Sequence, residues 1–248
     1  MKKNKIYFAS DFHLGYPNIE ESQKREKLIV QWLNNIEKQA KTIYLIGDIF
    51  DFWFEYKYVV PKGFIRLLGK IANLIDNGTE VIIITGNHDL WMKDYLKKEI
   101  GVKIIHGNMI INEAGKKILV GHGDGLGKGD KFYKFLKKIF TSSFCQWIFT
   151  RLHPNLAFTI ANNWSRTSRK NQKKEPFLNK EEETLYQYCQ EQQQNNSIDY
   201  YIFGHRHIPL CIDLDEKSKY INTGDWIEHY TYIVLDSNGI TLKKHINN

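Results

Sequence analysis

Short apolar runs alternate with longer amphipathic segments along the first part of the chain. The runs Lys5–Ala9, Thr42–Ile46 and Glu80–Thr85 are rich in branched and aromatic residues, which predicts buried strands. Between them, apolar positions recur at helical spacing in Ser22–Ala40 and Gly63–Asp76, which predicts two amphipathic helices. Strands that alternate with helices in this way indicate a sheet covered by helices.

Strand-like patterns dominate the later part of the chain. A helix is predicted over Asp89–Ile100 and a polar helix over Lys180–Gln194, with four strand-like runs between Tyr200 and Lys244. Three short strands are predicted in between, at Val102–Ile105, Met109–Asn112 and Lys117–Gly121. The chain is therefore expected to form a layered α/β sandwich that contains a mixed sheet.

Composition excludes several classes of protein. A chain of 248 residues with 42% hydrophobic residues can bury a large core, so it is neither disordered nor a disulfide-stapled miniprotein. Cys145, Cys189 and Cys211 form no CxxC pair, which argues against a zinc ribbon and fits a reducing compartment. No apolar run approaches the roughly 18 residues of a membrane-spanning helix. Because the N-terminal segment reaches Asp11 before an apolar signal core could form, we expect a cytoplasmic protein, soluble or peripheral to a membrane.

The net charge of +7 is concentrated in one segment. Residues 125–175, the basic insert, contain eleven Lys or Arg and two acids, a local charge of +9. Residues 1–124 and 176–248, the body, contain 24 basic and 26 acidic residues, a charge of −2. So dense a basic segment can be a solvated face, or it can bind an anionic partner such as nucleic acid, a phosphorylated substrate or an acidic membrane.

Five clusters of metal-binding residue types each follow an apolar run. In chain order they read Asp11-Phe12-His13, Gly47-Asp48-Ile49-Phe50-Asp51, Gly86-Asn87-His88-Asp89, Gly121-His122-Gly123-Asp124 and Gly204-His205-Arg206-His207. Proteins of the α/β class place ligand sites in the loops that follow sheet strands. Asp-x-His and His-x-His pairs also direct two side chains to one side of an extended backbone. Each cluster alone is common in turns and cores, but together they predict a site for two divalent cations.

This ordered set of motifs resembles the calcineurin-like metallophosphoesterase superfamily. The resemblance implies a four-layer αββα sandwich and hydrolysis of a phosphoester by two metal ions, which acidify a shared water. It implies one ion bound by Asp11, His13, Asp48 and His207 and another bound by Asp48, Asn87, His122 and His205. Manganese is the expected ion, with iron and zinc as alternatives.

The resemblance also implies roles for the residues around the ions. His88 would face the scissile phosphate, so that His88, Asp48 and Asn87 form the catalytic group. Asp51 and Asp89 would orient the ligands, and Asp124 could do either. The remaining histidines, His106, His153, His229 and His245, are expected to be structural or at the surface.

Three sequence segments that extend the first, second and fourth motifs resemble the UDP-2,3-diacylglucosamine pyrophosphatases of lipid A synthesis. They are Asp11-Phe12-His13-Leu14-Gly15, Gly47-Asp48-Ile49-Phe50-Asp51-Phe52-Trp53, and Gly121-His122-Gly123-Asp124-Gly125-Leu126 followed by Asp130 and Tyr133. Those enzymes carry a helical lid after the fourth motif, which is where the basic insert lies. The proteobacterial members commonly have Arg at the position of His88, so the chain departs from their pattern there.

This second resemblance implies a reaction and a set of substrate contacts. UDP-2,3-diacylglucosamine would be hydrolysed to UMP and 2,3-diacylglucosamine 1-phosphate by an enzyme at the inner membrane of a Gram-negative cell. The substrate contacts would come from Asn87, His88, Asp130, Tyr133, Arg166, Ser168 and His205, of which Arg166 is chosen for its chemistry rather than its alignment. The aromatic cluster Trp53–Tyr58 could line a nucleotide pocket or could serve packing.

Apolar and basic residues interleave within the basic insert. The apolar stripe has helical spacing at Phe132, Phe135, Leu136, Ile139 and Phe140, and continues through Phe144, Trp147, Ile148, Phe149 and Leu152. Lysines lie between these positions, at Lys131, Lys134, Lys137 and Lys138. The stripe could pack on the body as ordinary core. We favour the alternative that part of it encloses acyl chains while the lysines face anionic headgroups.

Two other functions fit parts of the pattern. A phosphodiesterase or nuclease acting on soluble nucleotides or nucleic acid would explain the charge of the basic insert, but not its apolar stripe. A non-enzymatic scaffold would have no need of intact metal motifs. We therefore expect an enzyme with a lipid-linked nucleotide substrate, an acidic membrane surface as its partner and no nucleic acid. The sequence does not specify the oligomeric state.

Overall fold

The computed structural model describes residues 3–128, 131–171 and 179–246, without the side chains at 132, 166 and 168–171. The strands are β1 (Lys5–Ala9), β2 (Ala40–Ile46), β3 (Glu80–Ile84), β4 (Lys103–Ile105), β5 (Met109–Glu113), β6 (Lys116–Val120), β7 (Tyr200–Phe203), β8 (Pro209–Asp213), β9 (Lys219–Thr223), β10 (Thr231–Asp236) and β11 (Gly239–Lys244). The helices are α1 (Ile19–Ile36), α2 (Ile65–Asp76), α3 (Tyr95–Ile100), α4 (Lys131–Thr141), α5 (Ser143–Phe149), α6 (Pro154–Asn171) and α7 (Thr184–Gln193).

The strands form two mixed sheets. The first has the order β11-β10-β1-β2-β3-β4, with parallel pairing from β1 to β4 and antiparallel pairing at β10 and β11. The second has the order β5-β6-β7-β9-β8, in which β6, β7 and β9 are parallel. The expected mixed sheet is therefore present twice, and parallel strands lie at the centre of both sheets.

Alternation of buried side chains along the strands produces four layers. In β1, Ile6 and Phe8 face the apolar cluster between the two sheets, whereas Tyr7 and Ala9 face the cluster beneath α1 and α2. Residues of the second sheet repeat this division, because its other face packs against Leu185 and neighbouring residues of α7. Helices, sheet, sheet and helix are thus stacked in order, which confirms the predicted αββα sandwich.

Several element boundaries differ from the predictions. Five strands, not four, lie between Tyr200 and Lys244, because β10 and β11 form a separate hairpin at the edge of the first sheet. The helix predicted from Asp89 begins at Tyr95, since the Asp89 carboxylate accepts hydrogen bonds from the backbone of Ile49 and from that of Gly86 in its own loop. Helix α1 begins earlier than predicted, because the Asn18 side chain caps its N-terminus.

Helices α4–α6, which we call the lid, pack on the body through aromatic residues. The Phe149 ring lies 4.7 Å from those of Phe54 and Trp91, and Phe158 lies 5.2 Å from Phe52. Trp91 also donates its indole N–H to the Phe140 carbonyl at 2.6 Å. Part of the apolar stripe therefore serves packing, as the first of the two interpretations expected.

Four described residues of the apolar stripe are exposed to solvent. The exposed fractions are 60% for Phe135, 68% for Phe144, 54% for Trp147 and 45% for Ile148. Trp53 and Phe54 are buried in the body, so these two members of the Trp53–Tyr58 cluster serve packing. No helix within the described residues has the length and apolar character needed to cross a membrane.

The body has apolar cores of its own. The described residues of the body form three apolar clusters, beneath α1–α3, between the sheets and beneath α7. Among the described residues, no side chain of α4–α6 belongs to any of them. The lid therefore packs on a body whose cores are complete without it.

Candidate metal centre

The five predicted motifs meet at one edge of the two sheets. Asp11, Asp48 and Asn87 follow β1, β2 and β3 of the first sheet, and His122 and His205 follow β6 and β7 of the second. All five strands belong to the parallel parts of their sheets, so the loops after them emerge on the same side. Both sheets therefore supply side chains to a single cluster.

One group of candidate ligands consists of Asp11, His13 and His207. The Asp11 Oδ1 atom lies 3.3 Å from His207 Nε2 and 3.6 Å from His13 Nε2. The two imidazole Nε2 atoms are 3.2 Å apart. Three potential ligand atoms of different residues thus converge on one point.

A second group consists of Asn87, His122 and His205. Asn87 Oδ1 lies 3.2 Å from His122 Nε2 and 3.1 Å from His205 Nδ1. Asp48 contacts both groups, because its Oδ2 atom lies 3.3 Å from His122 Nε2 and 3.6 Å from His13 Nε2. All seven predicted ligands are therefore brought together, with Asp48 between the two groups.

The donor set fits divalent cations. Within the described residues, the buried Asp11 Oδ1 atom has no hydrogen-bond partner, although an unpaired buried carboxylate oxygen is costly. Ligand atoms that share one cation at about 2.1 Å lie roughly 3 Å apart, close to the spacing in each group. Mixed carboxylate, amide and imidazole ligands suit manganese, iron or zinc.

Electrostatics at the cluster keeps two carboxylates ionised and one imidazole neutral. Burial alone would raise the pKa of Asp11 and Asp48, but the surrounding histidines outweigh it and lower both pKa values below their ordinary range. Burial and the neighbouring His122 lower the pKa of His205 to about 4. His205 is therefore neutral at physiological pH, which is the form of imidazole that binds a metal.

The backbone of the cluster is strained. Five non-glycine residues adopt left-handed conformations, with φ of 55° at Asp11, 43° at His13, 53° at Asp48, 68° at His205 and 57° at His207. Such conformations are uncommon outside glycine and concentrate at functional sites. They turn the chain sharply just after a strand, so that the side chains point across the cluster. The extended backbone predicted for the Asp-x-His and His-x-His pairs was therefore wrong.

The motif loops approach one another so closely that Gly47 and Gly86 leave no room for a side chain. A Cβ atom at Gly86 would lie 2.6 Å from the backbone nitrogen of Asp48, and one at Gly47 would lie 2.6 Å from Cγ of His122. Neither neighbour can move without displacing a candidate ligand. Glycine thus lets the second, third and fourth motifs pack against one another.

His88 lies beside Asp48 and is oriented by the second motif. Its Nδ1 atom is 2.9 Å from the Asp51 carbonyl oxygen, which can only accept, so Nδ1 carries the hydrogen. Its Nε2 atom, 4.0 Å from Asp48 Oδ2, therefore faces the cluster. Asp89 accepts hydrogen bonds from the backbone N–H of Ile49 and Gly86, and so ties the second motif to the third.

Two lid helices reach the cluster. Ser165 of α6 is buried and donates its hydroxyl hydrogen to Asp51 Oδ2 at 3.0 Å. Tyr133 and Lys137 of α4 both donate to Asp124, Lys137 at 2.6 Å. The sequence analysis chose Ser168 of this helix rather than Ser165, because no motif distinguishes one serine of the helix from another.

Of the four substrate contacts predicted in the basic insert, the structure describes the side chain of one. Tyr133 donates its hydroxyl hydrogen to the loop of the fourth motif, beside the candidate ligands. Asp130 lies outside the described residues, as do the side chains of Arg166 and Ser168, whose backbones belong to α6. The contacts of these three residues with substrate stay predictions.

Asp225 was also missed by the sequence analysis. It follows β9 and is buried, and its carboxylate lies 3.1 Å from His207 Nδ1 and 3.2 Å from His229 Nδ1. A Gly-Asp pair after a strand also occurs in ordinary turns, so the position gave no signal. Asp225 therefore contacts one of the candidate metal ligands, His207.

Comparison with known proteins relates the whole chain to one family. The model of the calcineurin-like phosphoesterase family matches residues 4–209. The chain is 34% identical to the UDP-2,3-diacylglucosamine hydrolase of Porphyromonas gingivalis, with 97% of each chain covered. It is 27% identical to the enzyme of that name in Haemophilus influenzae, over 94% of this chain and 95% of the relative. These likenesses cover the lid as well as the motifs.

Proposed function

The chain belongs to the calcineurin-like phosphoesterase family of metal-dependent hydrolases, and we propose that it hydrolyses the pyrophosphate bond of UDP-2,3-diacylglucosamine. The products are UMP and 2,3-diacylglucosamine 1-phosphate, an intermediate of lipid A synthesis. The observation that carries the proposal is the 34% identity to the Porphyromonas gingivalis hydrolase across 97% of both chains. Because the likeness includes the lid, it extends beyond the chemistry that the family shares.

We propose that the cluster holds two manganese ions, one in each group of ligands with Asp48 between them. Bound ions would acidify a water molecule and neutralise charge on the phosphoryl oxygens. The contribution of the chain is to hold the ligands rigidly. Asp89 joins two motif loops, and the left-handed residues fix the directions of the side chains.

His88 is assigned to the phosphate. Its Nδ1–H is held by the Asp51 carbonyl, which leaves Nε2 directed at the cluster. When protonated, His88 donates a hydrogen bond from Nε2 to a phosphoryl oxygen or passes a proton to the leaving group. Ser165 of the lid donates a hydrogen bond to the Asp51 carboxylate, so the lid contacts the residue whose carbonyl orients this histidine.

The surroundings of the cluster suit a large amphipathic substrate. A cavity of about 500 Å³ lies between the body and the lid and borders His122 and Asp124. Its lining combines apolar residues such as Trp91 with basic ones such as Lys137. We propose that the lid separates the acyl chains from water.

The exposed apolar residues of the lid suit a membrane surface. Phe144, Trp147 and Ile148 are exposed, and Arg151 lies over the Trp147 ring at 4.9 Å. Exposed aromatic and basic side chains on short helices are typical of peripheral membrane binding. We propose that the enzyme works at the cytoplasmic side of the inner membrane, where its lipid substrate is found.

The Ser165→Ala variant tests the link between lid and cluster. Loss of one hydrogen bond to a carboxylate costs about 1.5–3 kcal/mol at most, so kcat/KM is expected to fall by roughly 10- to 100-fold. The matched control is Ser143→Ala in α5, where the serine is exposed. Full activity of the Ser165 variant would show that the hydrogen bond to Asp51 has no part in turnover.

A substrate panel tests the proposed function directly. With Mn²⁺ present, release of UMP is measured from UDP-2,3-diacylglucosamine and from UDP-N-acetylglucosamine, and release of the chromophore is measured from a chromogenic phosphodiester. We expect the diacylated substrate to be preferred by at least about 100-fold in kcat/KM, since burial of each methylene contributes about 0.8 kcal/mol. Equal turnover of all three would contradict the lipid assignment and favour a general nucleotide phosphodiesterase.

A further inference from the structure

Asp225 lies beside the candidate metal ligands, in a turn that none of the five motifs includes. Its side chain is buried, with 3% of the residue exposed, at the C-terminal end of β9. Oδ1 accepts hydrogen bonds from the backbone N–H groups of Glu228 at 3.0 Å and His229 at 2.9 Å. Oδ2 lies 3.1 Å from His207 Nδ1. The two backbone donors therefore fix which oxygen faces His207.

This arrangement determines the tautomer of His207. An ionised carboxylate only accepts hydrogen bonds, so the hydrogen of a neutral His207 ring lies on Nδ1. Nε2 then keeps its lone pair, and it lies 3.3 Å from Asp11 Oδ1 and 3.2 Å from His13 Nε2. The lone pair is directed at the point where the first group of ligands converges.

We propose that Asp225 is a positioning residue that holds His207 in the metal-binding tautomer and thereby sets the affinity of the first group for its ion. This rests on the proposed two-ion centre. Carboxylates that accept a hydrogen bond from a ligating histidine orient the ring and raise its basicity, and their loss typically costs 10- to 100-fold in metal affinity. Asp225 has the geometry for this role towards His207.

The Asp225→Asn variant isolates the effect. The two backbone N–H groups attract the amide oxygen of the asparagine, which places its NH₂ group opposite His207 Nδ1. Because that group donates, His207 is expected to accept at Nδ1 and to carry its hydrogen on Nε2. The hydrogen then occupies the position of the lone pair. The variant preserves the size of the side chain and its backbone contacts, so the fold is expected to persist.

The matched control is His229→Ala. His229 Nδ1 also lies 3.2 Å from Asp225 Oδ1, but its removal leaves both backbone donors and the contact of Oδ2 with His207. A general disturbance of the turn would affect both variants. A change in tautomer would affect only Asp225→Asn.

Metal binding is the first measurement. Free Mn²⁺ is followed by electron paramagnetic resonance during titration of the full-length wild type and both variants. The expected result is two sites in the wild type and in His229→Ala. In Asp225→Asn, one site is expected to weaken 10- to 100-fold while the other changes less than about threefold. Two sites of wild-type affinity in Asp225→Asn would overturn the proposal.

The second measurement determines the tautomer of His207 in the absence of metal. Long-range ¹H–¹⁵N NMR spectra of the histidine rings, recorded on metal-free protein at about pH 9, distinguish Nδ1–H from Nε2–H. We expect His207 to be Nδ1–H in the wild type and Nε2–H in Asp225→Asn. An Nε2–H tautomer in the wild type would overturn the proposal even if the variant failed to fold. If the wild type bound fewer than two ions, the two-ion centre would fail, while the tautomer would still test the role of Asp225.

Discussion

The metal-dependent turnover of an Asp48→Asn variant is expected to fall at least about 1000-fold, while the variant remains folded. Asp48 Oδ2 contacts His122 of one group of ligands and His13 of the other, so its charge is shared between the two proposed ions. An amide has the same shape but no negative charge. Two-metal sites supply several kcal/mol of transition-state stabilisation, and each 1.36 kcal/mol is worth tenfold in rate. The measurement is kcat for the diacylated substrate at saturating Mn²⁺.

The control for this variant is a carboxylate that makes similar contacts elsewhere. Asp199 accepts a hydrogen bond from the Lys117 backbone at 2.8 Å and pairs with Lys116, at the end of the second sheet opposite the cluster. Asp199→Asn is expected to leave kcat within a factor of about two, since surface ion pairs contribute 0–1 kcal/mol. If Asp48→Asn kept more than a tenth of wild-type activity, Asp48 could not lie between two catalytic ions.

Removal of the lid is expected to separate substrate selectivity from hydrolysis. In a variant lacking residues 132–174, with a short Gly-Ser linker, the preference for diacylated over small substrates should fall at least about 100-fold. Loss of burial for only four methylenes costs about 3 kcal/mol, or roughly 200-fold. Hydrolysis of the small phosphodiester should continue at a lower rate. The body is expected to stay folded, because its apolar clusters contain no described residue of α4–α6, but the contacts of the lid with Asp51 and Asp124 are lost.

The lid also makes polar contacts with the cluster, and these need a separate control. Tyr133→Phe, Lys137→Met and Ser165→Ala, combined in the full chain, remove the hydrogen bonds to Asp124 and Asp51 but keep the helices. This triple variant should lose turnover of both substrates in parallel and so retain its preference. If lid removal also lowered both activities equally, the lid would act only through these contacts and would not bind acyl chains.

Much of the fold could be predicted from local patterns. The apolar runs at Lys5–Ala9 and Glu80–Thr85 match β1 and β3 to within one residue, because parallel strands buried on both faces leave an uninterrupted apolar signal. The edge hairpin of β10 and β11 was harder to divide, since its polar and apolar residues mix. The late start of α3 depends on where Asp89 and Glu55 place their hydrogen bonds, which is tertiary information.

The candidate site was predictable for a different reason. Its ligands belong to five motifs that each follow a strand, and strand ends meet at one edge whatever the details of packing. Residues that act through another residue carry no such signal. Ser165 reaches Asp51 only because α6 folds back on the body, and Asp225 reaches His207 only through the turn after β9.

The left-handed backbone at Asp11, His13, Asp48, His205 and His207 has a consequence for how such a protein evolves. Each position is held in a conformation that costs of order 1–3 kcal/mol for a residue other than glycine. Selection for a more stable chain would therefore favour glycine at all five positions, and each such change would delete a candidate metal ligand. Stability and activity are selected in opposite directions at these positions. In this chain aspartate or histidine occupies all five positions, as is expected where the candidate ligands are needed for activity.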